Sequence, residues 1–150
     1  MKKLSHLDNR QQPRMVDVSE KCDSQRLARA RGFIKLKPAT VRLIRTHRIA
    51  KGSVLITAEL AGIQAAKQTA HLIPLCHVLP LTQVSVVAAL RANGVAVASE
   101  VKYIGRTGVE MEALTAVSVA LLTIYDMCKA VDNRMTIRDI RLVKKTKTAI

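Results

Sequence analysis

Three carboxylates, Glu110, Glu112 and Asp126, and the lysine Lys129 stand on one otherwise almost wholly apolar run, GVEMEALTAVSVALLTIYDMCKA over residues 108–130. Glu112 lies near its start, and Asp126 and Lys129 lie near its end. A carboxylate beside an aliphatic surface, with an ammonium three residues on, is how an acid/base pair with shifted pKa values is built. A plain i,i+3 ion pair accounts for the same two residues at the end of the run. The helix dipole disfavours negative charge at a C-terminal end, so Asp126 needs something to hold it there. Spacing adds a geometric constraint. Fourteen residues bring Asp126 back to within about 40° of Glu112 around a helix, yet about 21 Å further along it. One small substrate cannot have its reacting centre against both residues of one chain; if both serve one site, two chains build it.

A second group is Ile73-Pro74-Leu75-Cys76-His77, which sets a thiol beside an imidazole. In an extended segment adjacent side chains point to opposite faces, so a Cys-His nucleophile pair cannot be read from adjacency. A hydrogen-bonded structural histidine and a buried thiol explain the same residues. Gly105-Arg106-Thr107-Gly108 leads into the apolar run as a glycine-rich turn that could cradle phosphate at a helix N-terminus. It lacks the spacing and the Lys of a Walker A loop. Thr107 and Glu110 fit the S/T-x-x-E capping box, which assigns Glu110 to the cap and leaves Glu112 to the helix dipole or to chemistry. Lys51-Gly52 between two helical segments carries the weakest signal of these.

The elements that must position these residues follow from pattern. Residues 1–25 read as irregular. A first strand spans Arg26 to Lys37 and ends at Pro38; Arg29, Arg31, Lys35 and Lys37 fall on one face, with Ala28, Ala30, Ile34 and Leu36 on the other. A short helix from Ala39 to about Arg48 and a longer one from Ser53 to about His71 follow, the second stopped by Pro74. LTQVSVVAAL and VAVASEVKYI pair antiparallel as a hairpin joined by Asn93-Gly94. The long helix and a last strand near Ile137 to Lys144 complete the order β, α, α, β, β, α, β. That order predicts an α+β two-layer sandwich with an antiparallel sheet covered by helices on one face. No linker, repeat or low-complexity tract divides residues 1–150, which read as a single domain.

Composition bounds the possible functions. A chain of 150 residues buries about 68–70% of its unfolded surface, and with no Trp, one Phe and two Tyr its core must be aliphatic. No run approaches the roughly 20 uncharged residues of a membrane span, and MKKLSHLDNRQQ is too polar for the core of a signal peptide, so a cytoplasmic protein is expected. Three cysteines at wide spacing, Cys22, Cys76 and Cys128, suit neither a disulfide framework nor a zinc knuckle; free thiols and no protein-bound metal are expected. The net charge is +14. Residues 1–48 hold 13 of the 25 basic side chains and 4 of the 11 acidic ones, whereas residues 51–110 hold 5 and 3, so the excess gathers toward the ends of the chain. Such a balance points to a polyanionic partner.

AGIQAAKQTAHLIPLCH and TGVEMEALTAVSVALLTIYDMCKAV together resemble the cyclic pyranopterin monophosphate synthase family of molybdenum cofactor biosynthesis. The resemblance runs from Met15 to about Leu142. It implies a ferredoxin-like subunit, a homohexamer of three dimers and active sites at dimer interfaces, in accord with the 21 Å separation. It also implies a lyase reaction without organic cofactor, Mg2+ being unreadable: (8S)-3',8-cyclo-7,8-dihydroguanosine 5'-triphosphate becomes cyclic pyranopterin monophosphate, releasing diphosphate. By the same resemblance Asp126 is the general acid/base, Lys129 and Lys51 are its catalytic and phosphate-binding companions, and His77 takes part in the chemistry. Leu75, Cys76 and His77 line the substrate pocket, and Met111 and Glu112 reach the substrate from the neighbouring chain. The chain departs from the family pattern at Ser53, Ala70-His71, Val78 and its KKTKTAI tail.

Two other readings use the same scaffold. One is a catalytically impaired homologue that binds nucleoside polyphosphate without turnover. The other is a basic nucleic-acid-binding module, which the scarcity of aromatic side chains disfavours, since single-strand binders stack bases on aromatic rings.

Overall fold

The computed structural model describes residues 7–150; the reading of the first six residues lies outside it. Residues 7–23 carry no helix or strand beyond an isolated bridge between Leu7 and Pro13. The elements then run β1 (Ser24–Lys35), α1 (Pro38–Arg45), α2 (Val54–Lys67), α3 (Thr69–Leu72), β2 (Gln83–Arg91), β3 (Gly94–Gly105), α4 (Glu110–Cys128) and β4 (Thr136–Ala149). The four strands form one antiparallel sheet in the order β2-β3-β1-β4. Pairing β3 between β1 and β2 is the split βαβ arrangement of a ferredoxin-like sandwich.

One face of the sheet is the core. Ala28, Ala30 and Ile34 of β1 alternate inward with Val95, Val97 and Val101 of β3, all at most 1% exposed. Arg29, Arg31, Lys35 and Lys37 face out, as the period-2 pattern predicts. Helix α4 lies over this face with Ala113, Ala116, Val117, Ala120, Leu121 and Ile124 fully buried. Small residues on both helices, among them Ala58, Gly62 and Ala65 of α2, let α2 pack closely beside it. Helix α4 is long and apolar enough to cross a membrane, but here it is the central helix of the core.

Three local expectations change. Pro38 starts α1 at its first position rather than merely ending the strand, because its missing N–H is one that a helix leaves unpaired there. The turn between β2 and β3 is Ala92-Asn93, and Gly94 is already paired with Lys35 of β1; a Cβ at Gly94 would run into the Ile34 carbonyl. The capping box does not form: α4 begins at Glu110 with Val109 as N-cap, so Thr107 stands too far upstream, and the Glu110 carboxylate instead meets Lys145 of β4 at 3.2 Å.

Candidate active site

The two ends of α4 carry two separate clusters. At its N-terminal end, Leu75, Cys76, His77, Met111 and Glu112 line one hollow of about 280 Å³, together with Val16, Val18 and Lys21 of the N-terminal segment. The first turn of α4 is fixed by the buried hydroxyl of Ser99, which donates to the Ala113 carbonyl at 2.8 Å. That contact holds Glu112 in the wall of the hollow, only 4% exposed. Burial pushes its carboxyl up to about 6, and Glu110 nearby adds to the shift against the opposing effect of its own backbone N–H. Near neutrality Glu112 can therefore both give and take a proton.

His77 donates Nε2–H to the Val16 carbonyl at 2.8 Å, since a carbonyl can only accept. That bond leaves Nδ1 as the nitrogen able to accept a proton and ties residues 15–19 across the mouth of the hollow. Arg106 holds the same segment by donating to the Ser19 carbonyl at 2.9 Å and by pairing with Asp23 at 3.4 Å. Burial, reinforced by Glu112, raises the Cys76 thiol, which keeps it protonated and argues against a nucleophilic thiolate. All three cysteines are free.

At the C-terminal end of α4, Asp126 is gripped from two sides. Lys129 Nζ lies 2.8 Å from Oδ1, and Lys51 Nζ lies 2.7 Å from Oδ2 and 3.0 Å from the Asp126 carbonyl. Lys51 comes from the α1–α2 loop, where Gly52 adopts φ +100° and turns the chain into α2. Its ammonium satisfies a carbonyl at the negative end of the helix dipole as well as the carboxylate. Hydrogen bonds from Lys129 first and Lys51 second hold the Asp126 carboxyl down at about 2, and Asp126 in turn raises Lys129. The three side chains carry a net single positive charge on open surface, a setting suited to phosphate oxygens and to proton delivery from an ammonium.

Each residue singled out by type or resemblance therefore falls in one of two groups. Leu75, Cys76, His77, Met111 and Glu112 line one hollow of a single chain; the resemblance has Met111 and Glu112 reaching the substrate from the chain next to the one that supplies Asp126, and residues 75–77 stand on their side. Lys51, Asp126 and Lys129 form the other group, about four helical turns away. Lys21, Arg106 and the Val16 carbonyl were not anticipated, because they sit in segments read as irregular or as a turn. Asp132 also escaped notice. Though only 1% exposed, it accepts from the Lys37 N–H at 2.8 Å, the Thr40 hydroxyl at 3.0 Å and the Arg134 N–H at 3.1 Å, fastening the chain just beyond Lys129 to the start of α1.

The model of the MoaC family matches residues 15–148. A protein of Thermomicrobium roseum called cyclic pyranopterin monophosphate synthase is 56% identical over 97% of this chain and 89% of its own length. Proteins of the same name from Parvibaculum lavamentivorans and Heliobacterium modesticaldum are also 56% identical, over 97% of this chain and 92% and 93% of theirs.

Proposed function

The chain belongs to the MoaC family, and we propose that its cyclic pyranopterin monophosphate synthase reaction runs at sites completed by two chains. One chain supplies Leu75, Cys76, His77, Met111 and Glu112 around the ring system of a cyclised dihydroguanosine triphosphate. The second supplies Lys51, Asp126 and Lys129. Opening the purine ring and closing a pterin requires several proton transfers, and displacing diphosphate requires cations near phosphorus. Glu112 and His77 Nδ1 are suited to move protons on the ring. Asp126, ionised throughout the neutral range, takes up a proton as general base, and Lys129, held beside it as an ammonium, gives one up as general acid, while Lys51 binds phosphate oxygens. A rearrangement with loss of diphosphate calls for protons and cations rather than an organic cofactor.

The observation that carries this reading is the length of α4. Glu112 and Asp126 lie 14 residues apart on it, about 21 Å, which is too far for both to act on one reacting centre within one chain. Apolar side chains support association around the two clusters: Ile56 and Leu60 of α2 and Leu122 of α4 are 58–62% exposed, and Val78 beside the hollow is 78% exposed. We assign a symmetric dimer as the catalytic unit, a hexamer of three such dimers as the assembly and the cytoplasm as its compartment.

Mixing inactive variants tests this directly. Glu112→Gln and Asp126→Asn chains, co-refolded in equal amounts, should regain about a quarter of wild-type turnover, because half of the dimers are mixed and each mixed dimer rebuilds one of two sites. Turnover no higher than that of either variant alone would assign each site to a single chain.

A further inference from the structure

The outward face of the sheet, remote from α4, carries cations that the synthase reaction does not use. In a regular strand, residues at i, i+3 and i+6 alternate between faces. Strand β4 breaks that rule twice. Between Arg31 and Phe33 of β1 a single residue, Gly32, stands opposite two, Asp139 and Ile140, and a second register shift falls between Arg29 and Ala30, where Val143 is the extra residue. Asp139 takes φ +58° at the first bulge. The two bulges bring Arg138, Arg141 and Lys144 to one face, directly opposite Phe33, Arg31 and Arg29 respectively.

The resulting cross-strand pairs are like-charged. Arg31 faces Arg141 and Arg29 faces Lys144, an arrangement that destabilises a sheet unless an anion offsets it. Glu100 is taken up by Arg29 at 2.6 Å and Lys102 at 3.5 Å. Among the described residues no carboxylate pairs with Arg31, Arg141 or Lys144. Beside them lies a hollow of about 450 Å³ lined by Arg31, Phe33, Asn93, Arg138, Asp139 and Arg141. Arg138 lies over the Phe33 ring with its guanidinium carbon 5.2 Å from the centroid and 3.6 Å from the Asp139 carboxylate, contacts that orient its planar fork.

We infer that this face binds an oligophosphate, a chain of two or more phosphate groups, at a site separate from both ends of α4. The guanidiniums of Arg31, Arg138 and Arg141 line the hollow; Arg138 lies 3.6 Å from the Asp139 carboxylate, which leaves Arg31 and Arg141 as the unpaired forks that match the bidentate geometry of phosphate oxygens. Arg138 covers one face of Phe33, the aromatic side chain that lines the hollow, which favours the phosphate chain over a nucleobase as what the site reads. Electrostatic relief of the opposed Arg31–Arg141 pair supplies the driving force, Arg29 being already offset by Glu100, and charges on an edge strand that served only to block aggregation would need no bulges to gather them.

Calorimetric titration of the intact assembly with inorganic tripolyphosphate, and separately with a nucleoside triphosphate, tests the proposal. Arg31→Gln/Arg141→Gln should weaken tripolyphosphate binding at this class of site by at least about tenfold, on the loss of two charged hydrogen-bonding groups, with turnover unchanged. Lys51→Ala should leave that class intact. The two ligands should bind this site alike, whether the phosphates come from a nucleotide or not. Thermal melting adds an independent readout: Arg31→Glu should raise the melting temperature by removing the repulsion and abolish the further rise that tripolyphosphate gives the wild type. Tripolyphosphate affinity unchanged in the arginine variant would overturn the inference. So would an altered oligomeric state with unaltered anion binding, which would make the face a contact between copies, or salt-sensitive binding of a single-stranded oligonucleotide by a protein that ignores tripolyphosphate.

Discussion

Replacing Glu112 by Gln should stabilise the protein at neutral pH while abolishing its turnover. The carboxyl titrates at about 6 in the folded chain against a reference of 4.5, chiefly because it is buried in the wall of the hollow. The folded state thus holds this proton more tightly than the unfolded one. Stability from this group is greatest below about pH 4.5 and declines as pH rises through 6, by about 2 kcal/mol in all at 1.36 kcal/mol per unit of pKa. A glutamine of nearly the same shape has no charged form and loses nothing over that range. Urea unfolding of both proteins from pH 4 to 8, at one fixed protomer concentration because the proposed assembly would contribute to stability, should show the difference growing by about 2 kcal/mol in favour of the variant. Carboxylates common to both, Asp126 and Asp132 included, cancel in that difference. A difference that stays flat across the range, or that grows in favour of the wild type, would refute the claim that Glu112 is held against its charge. On the proposed function, such a cost at a residue that moves protons is the usual trade of stability for function.

Asp126→Asn should leave the fold intact, since the side chain is on open surface, but lower turnover by about a hundredfold or more, the scale of a lost acid/base group. The pH profile of kcat/KM separates the two carboxyls: a limb near 6 belongs to Glu112 and should persist in the residual activity of Asp126→Asn, whereas Asp126, at about 2, contributes none between pH 4 and 8. Gly32→Ala should destabilise by about 1–3 kcal/mol in chemical unfolding, because its Cβ would stand 2.7 Å from Leu121 and 2.9 Å from Val117, fully buried side chains of α4. Asp132→Ala strands two backbone N–H groups and the Thr40 hydroxyl and should reduce stability by about 3 kcal/mol; an effect below half of that would mean water replaces the carboxylate.

What could be read from the chain is what depends on periodicity and nearest neighbours. Alternation located the two faces of β1, an apolar run located α4, and Asn93 marked the hairpin to within one residue. What depends on contacts distant in sequence could not be read. Lys51 is 75 residues from Asp126 and Val16 is 61 from His77, and neither pair leaves a local pattern; the resemblance, not the spacing, had joined Lys51 to Asp126. The capping box failed for a related reason: Thr107-x-x-Glu110 is a correct local signal, but the ion pair of Glu110 with Lys145, 35 residues on, is long-range and lies outside it. Bulges are the hardest case, since two inserted residues in β4 reverse which side chains share a face and turn an apparently scattered basic tail into one cationic row.

These limits also explain how the charge divides. The positive charge at the C-terminal end of α4 is compensated and local: two ammoniums share one carboxylate and keep a single net charge, which the proposed reaction uses for phosphate. The outward sheet face is the opposite case, with cations set against cations by a backbone that departs from regularity to do so. A catalytic site can hold its charges in balance until the substrate arrives, because assembly and turnover both require a stable resting state. A face that opposes Arg31 to Arg141 has no such balance of its own, and its stability should rise with the concentration of whatever anion completes it, which makes the melting temperature in tripolyphosphate the most direct measure of what the +14 charge is for.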